Sequence, residues 1–244
     1  MNRRIVLLAT LACAFAPACR STPAAPPAAG ASAAQTATGC TLVLIKTGPR
    51  SGQLPQADNE RAFAGHFANM TRMAEAHELL VAGPYGDKRH DSALRGVFVL
   101  ASADRAQAER WAATDPTTQA GVFTLEFHAL ATDAPLAAAA ERDLAKRAKL
   151  AAQGKTPAPG DGVRPYVLLT AEHADLAERE LGALRSAEGG VFLLGRLDGT
   201  RALAVLDAEN LAQAHERFAP QLQNIGAYAL DEWYASAELA GMVD

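Results

Sequence analysis

His66 and Asp115 are the residues of this chain whose types and setting best suit catalysis. His66 lies in a stretch with helical periodicity, three residues after Phe63 and four before Met70, at the edge of an apolar face. Asp115 precedes Pro116 at the end of a second helical stretch, where its ordinary use is as a turn residue. A carboxylate beside an imidazole fixes the ring's tautomer and favours its charged form, the usual way of poising a general base near neutral pH. Gly83, Pro84 and Tyr85 follow a strand and are the candidates for lining a substrate pocket, although glycine and proline there serve the turn first.

The remaining histidines, His77, His90, His128, His173 and His215, are scattered without ligand spacing, so no metal is assigned. There is no phosphate-binding glycine loop, nucleophile elbow or dinucleotide fingerprint, and no cofactor is expected. Lys46 faces either a pocket or solvent, and Trp111, Phe192, Tyr228 and Trp233 are most simply core residues. The formal charge is −4, and loss of residues 1–18 with Arg3 and Arg4 would make it −6. Such a surface offers no general attraction to nucleic acid or anionic lipid.

Short apolar runs and helical stretches alternate in an order that can bring the two residues together. Strands are expected at residues 41–46, 79–82, 97–101 and 121–130, with helices capped at Asp58 or Asn59 and running to His77, and over residues 102–114. On the first helix Phe63, Phe67, Met70 and Ala74 form the expected core face. The order β-α-β-β-α-β is a ferredoxin-like unit in which both helices cover one face of the sheet, the side on which His66 and Asp115 would meet.

The order recurs. Residues 134–152 are alanine-rich and charged, with helical potential, and residues 153–160 have linker composition. Strands then follow at residues 166–170, 191–194, 202–206 and 226–233, with helices at 174–187 and 210–218. Val99-Leu100 and Ala106-Gln107-Ala108 match Val205-Leu206 and Ala212-Gln213-Ala214 at one offset, and Gly121–Glu126 parallels Gly226–Asp231 one residue out of step. The expected fold is α+β: two ferredoxin-like units in one chain, their bare faces packed together or wrapped into a shared barrel, a monomeric pseudo-dimer. Counting back from Gly195 as the partner of Gly83 sets Glu178 opposite His66; Arg196 replaces proline, and Ala219-Pro220-Gln221-Leu222 replaces the Asp-Pro.

At the N-terminus, Arg3 and Arg4 precede an apolar run, Ile5 to Ala16, too short to span a bilayer. Ala16-Pro17-Ala18 then abuts Cys19, a pattern resembling a bacterial lipobox except that Ala16 replaces the usual leucine-like residue. Residues 1–18 are read as a signal peptide, Cys19 as the acylated residue and residues 19–39, rich in Ala, Pro, Ser and Thr, as a tether at the periplasmic face of an outer membrane. A simple cleaved secretory peptide is the alternative. If Cys19 carries lipid, Cys40 stays a thiol; if not, a Cys19–Cys40 disulfide is open to it.

The helix-one histidine, Leu79-Leu80-Val81-Ala82-Gly83-Pro84, Ala113-Thr114-Asp115-Pro116 and Gly121-Val122, in this order, resemble the YCII-related family over residues 41–130. The resemblance implies a dimeric α+β-barrel arrangement with a ferredoxin-like protomer and a His–Asp site in the roles of His66 and Asp115. Some relatives are associated with dehydrochlorination of chlorinated hydroquinones. The domains expected are 40–131, a linker at 132–163 and a degenerate copy at 164–244. Two functions fit: a cofactor-independent lyase or isomerase acting on a small organic molecule, or a ligand-binding or structural lipoprotein of the cell envelope without turnover.

Overall fold

The computed structural model describes residues 38–155 and 160–243. The expected signal, Cys19 and nearly all of the expected tether lie outside them. Among the described residues no helix is long and apolar enough to cross a membrane.

The first half runs β1 (Thr38–Thr47), α1 (Gln56–Glu75), β2 (Leu79–Pro84), β3 (Leu94–Leu100), α2 (Arg105–Ala112), α3 (Pro116–Gln119) and β4 (Phe123–Thr132). After α4 (Leu136–Ala152) come β5 (Val163–Ala171), α5 (Ala174–Leu181), β6 (Val191–Leu197), β7 (Arg201–Leu206), α6 (Leu211–Leu222) and β8 (Tyr228–Ser236). The eight strands make one nearly closed, wholly antiparallel sheet in the order β2-β3-β1-β4-β6-β7-β5-β8. The order within the first half, 2-3-1-4, recurs in the second as 6-7-5-8.

Both faces of the central strands are buried, which is why β1 reads as a continuous apolar run rather than an alternation. Leu42 points into a core shared with Val97, Val99, Leu168, Leu193 and Trp233, inside the curl of the sheet. Val43 and Ile45 point the other way, under α1 and α2 with Met73, Phe98 and Ala112. A matching layer with Phe218 and Leu181 lies beneath α5 and α6. The interior of the curl is filled: the void left among its side chains is about 10 Å³.

Several expectations are corrected. Helix α1 starts two residues before Asp58, at Gln56 after Pro55, with no side-chain cap. Its buried residues are Ala62, His66 and Met73, so the helix is rotated from the expected Phe63–Phe67–Met70 face, and Phe67 is 61% exposed. Asp115 does more than end α2, since its carboxylate caps α3 by accepting from the Thr117 N–H. Helix α6 runs through Pro220 to Leu222 rather than stopping at Phe218, and α5 gives way after Leu181 to a short 3-10 turn. Helix α4 is more than a linker: Leu136 and Ala139 enter the interior core, and Arg142 and Lys146 pair with Glu238.

Two features shape the site. Ile45 pairs with Gly96 and Lys46 with Leu94, so Arg95 is an extra residue on β3. Such a bulge bends a strand and re-aims a side chain. At the edges, β2 meets β8 through a bridge between Tyr85 and Trp233, and the Trp233 Nε1–H donates to the Gly83 carbonyl at 3.1 Å. A Cβ on Gly83 would stand 1.8 Å from the Tyr234 carbonyl oxygen. Gly83→Ala must therefore push the edges apart. It is expected to cost at least the ~1–3 kcal/mol of overpacking, read as a lowered thermal midpoint; an unchanged melting curve would contradict the seam.

Candidate functional site

Rotation of α1 carries His66 inward and leaves Phe63, Phe67 and Met70 as the wall of a cavity. The cavity, of about 680 Å³, lies on the helix-covered side of the first half, outside the filled curl. Ile45, Gly96 and Phe98 form its sheet wall, α1 its opposite wall, and Ser51, Gly52 and Leu54 its loop side. Its volume is that of ordinary small-molecule sites.

His66 is 7% exposed and Asp115 1%. Their bond, from Nδ1 to Oδ2, is 2.6 Å long. The carboxylate's other oxygen accepts from the Thr117 N–H at 2.9 Å and from the Thr117 hydroxyl at 2.6 Å. Burial pushes the Asp115 carboxyl up, but the bonds from His66 and Thr117 together outweigh it and hold the group below its usual range. An ionised carboxylate only accepts, so His66 must carry its proton on Nδ1, and the neutral ring keeps its lone pair on Nε2. The ring is packed by Phe98, stacked at 5.9 Å, and edge-on by Phe63, Phe67 and Phe123. Four aromatic contacts and a short hydrogen bond leave the imidazole one orientation.

The chain makes this approach possible at Gly65. A Cβ there would lie 2.8 Å from Cγ of Pro116, so α1 rests directly on the start of α3. His66 follows Gly65 and Asp115 precedes Pro116, so the helix contact sets the side-chain contact.

The other expected residues are placed as follows. Gly83 and Pro84 line the cavity. Tyr85 does not share that role: it packs against the interior core beside Trp233, and burial pushes its phenol up. Lys46 is held by Glu126 at 2.9 Å and Asp91 at 3.5 Å rather than facing the cavity. Cys40 is 3% exposed on β1, and burial raises its thiol pKa. Among the described residues no group of three or more His, Cys, Asp or Glu is placed to hold a metal ion. Two contributors escaped the sequence reading. Thr117 stands two residues after Asp115, the spacing of a side-chain-capped turn. Arg95, which also lines the cavity, is followed by Gly96 inside an apolar strand, a mark of a bulge.

Because the folded state depresses the Asp115 pKa, the group adds stability above its unfolded pKa and loses it as pH falls through the lower folded value. Asp115→Asn is expected to cost about 1–3 kcal/mol near neutral pH, the usual loss for bonds to a charged acceptor. The gap to wild type should close below about pH 4. Chemical denaturation across pH measures this, and a gap independent of pH would show the carboxylate to be unimportant.

Comparison with curated proteins gave no match. Comparison with family models matched residues 41–126, the stretch that holds His66, Asp115 and every residue lining the cavity. The chain carries a YCII-related domain over those residues.

Proposed function

We propose that the protein is a cofactor-independent enzyme of the lyase or isomerase kind acting on a small organic molecule, with His66 as general base and Asp115 as its orienting partner. The observation that carries the reading is the 2.6 Å His66–Asp115 bond at the wall of a largely apolar cavity of about 680 Å³. In the reaction Nε2 takes a proton from a substrate carbon; that C–H bond breaks and an N–H bond forms. The electron pair left on carbon either expels a leaving group from the neighbouring carbon or moves along the molecule before the proton is returned. Asp115 stabilises the imidazolium meanwhile.

The second half is read as a fused, degenerate copy that supplies the partner surface. Several matched features support this. Leu42 faces Val99 and His128, while Leu168 faces Val205 and Asp231. Register shifts fall at Leu79/Val81 and at Val191/Leu193. Gly195 meets β4 as Gly83 meets β8, a Cβ on it lying 2.9 Å from the Ala131 carbonyl oxygen. A His–Asp pair spans each junction between halves, His90 with Asp231 and His128 with Asp198, both at 2.8 Å. In the second half Glu178 accepts from Arg196 at 2.6 Å where the first half has His66 and Pro84. That ion pair cannot act as a base toward a ligand, so one working site is expected per chain.

His66→Ala should keep the fold at a cost of about 1–3 kcal/mol in stability and lose at least ~100-fold in turnover, the lower range for removing a general base. A turnover and binding screen of small organic molecules on the full chain, with this variant as control, is the test. Turnover unchanged by the substitution would sink the enzymatic reading, and binding without turnover would favour a ligand carrier. Export and acylation rest on Arg3, Arg4, the apolar run and Cys19. Cys19→Ala is expected to move the protein from the membrane to the soluble fraction; retention in membranes would refute the anchor.

A further inference from the structure

We propose that the cavity selects a carboxylate-bearing molecule with an apolar, ring-sized body, and that Arg95 is the residue that binds the carboxylate. This rests on the reading of the same cavity as a substrate site.

Arg95 is the one residue of β3 that the strand ladder does not pair with β1, and the bulge places it on the cavity wall. It is half-buried, and no side-chain hydrogen bond or ion pair engages its guanidinium among the described residues. Lys46, next to Ile45 of the cavity wall, is by contrast satisfied by Glu126 and Asp91. A partly buried guanidinium without a carboxylate is costly to keep unless something else supplies the anion.

The remainder of the wall points to the same ligand. Ser51, Gln56, Asn59, His66 and Arg95 are its polar side chains, and none carries a carboxylate. Asp115 is sealed behind His66 and already accepts three hydrogen bonds. The cavity therefore presents positive charge without a negative counterpart, against Phe63, Phe67, Phe98 and Phe123 that suit a flat apolar body. A guanidinium fork matches the two oxygens of a carboxylate in a bidentate pair.

The spacing also fits. His66 stacks on Phe98, three residues along β3 from Arg95. At roughly 3.3 Å per residue the two strand positions lie about 10 Å apart, room for a small ring between the side chains they carry. With the carboxylate on Arg95, the carbon chain leads toward Nε2. Charge that develops when a proton leaves a conjugated carbon would spread onto the oxygens Arg95 holds, so the same contact that selects the ligand would favour the proton transfer.

The test is calorimetric titration of the full chain with benzoate, 2-phenylacetate and cinnamate, each beside its primary amide. Wild type is expected to prefer each acid over its amide by roughly tenfold or more, the range for one charge-assisted contact. Arg95→Gln should erase that preference while leaving amide binding unchanged, and Arg95→Lys should restore part of it. Equal binding of acids and amides, a preference that survives Arg95→Gln, or no binding by any acid would overturn the inference. His66→Gln separates it from the reading beneath. Acid preference kept in that variant while turnover is lost supports both assignments. If instead His66-dependent turnover is found on uncharged compounds, Arg95 loses its role and His66 keeps its own.

Discussion

The structure turns on the meeting of two sheet edges at a residue with no side chain. Edge strands must pair, be covered or be blunted, because their unsatisfied amides and carbonyls otherwise recruit another chain. Here β2 and β8 come together where Gly83 lies under the Tyr234 carbonyl and accepts from Trp233, so the eight strands curl until their ends meet. That closure fills the inside of the curl with Leu42, Leu168, Trp233 and their neighbours and leaves no room there for a ligand. The cavity of about 680 Å³ is consequently on the outer face, between α1 and the sheet. Closure decides which side of the sheet can do chemistry.

On that outer face packing has been given up for a polar contact. Of the α1 positions that would make the best core, Phe63 and Phe67 do not fill it and Met70, partly buried, only packs against it; the inward positions are Ala62, His66 and Met73. A small alanine and a hydrogen-bonded histidine bury less apolar surface than two phenylalanines, at roughly 25 cal/mol per Å². The offset comes from Asp115, which is ionised, accepts three hydrogen bonds and leaves no buried charge without partners. A helix turned this way is less well packed and better prepared to bind.

How much of this was legible follows from which forces are local. The β-α-β-β-α-β order and the turn at Gly83 and Pro84 are consequences of periodicity and turn chemistry, which short windows of sequence carry, and that order sets both helices on one face, where His66 and Asp115 can meet. The face of α1 was misjudged because periodicity reports an apolar stripe without saying whether it meets a core or an empty cavity. Tyr85 was misplaced for a related reason: one residue past a strand end decides which side of the sheet a ring falls on, and the bridge to Trp233, far along the chain, makes that decision. Arg95 was visible as a charge before a glycine, but its lack of a partner is a tertiary fact.

The two halves show the same division between frame and site. Gly83 and Gly195 serve the same close approach, and the junction pairs His90–Asp231 and His128–Asp198 exchange histidine and aspartate between loop and strand while keeping the contact. What holds the halves together is thus present twice. What could act on a ligand is present once, because Glu178 is engaged by Arg196 and the second half has no Asp-Pro beside it. A symmetric partner is needed to close the sheet, but closure makes no demand on the chemistry of the partner's outer face. The residues of the seam are constrained by packing in both halves, and those on the outer face of the second half are not.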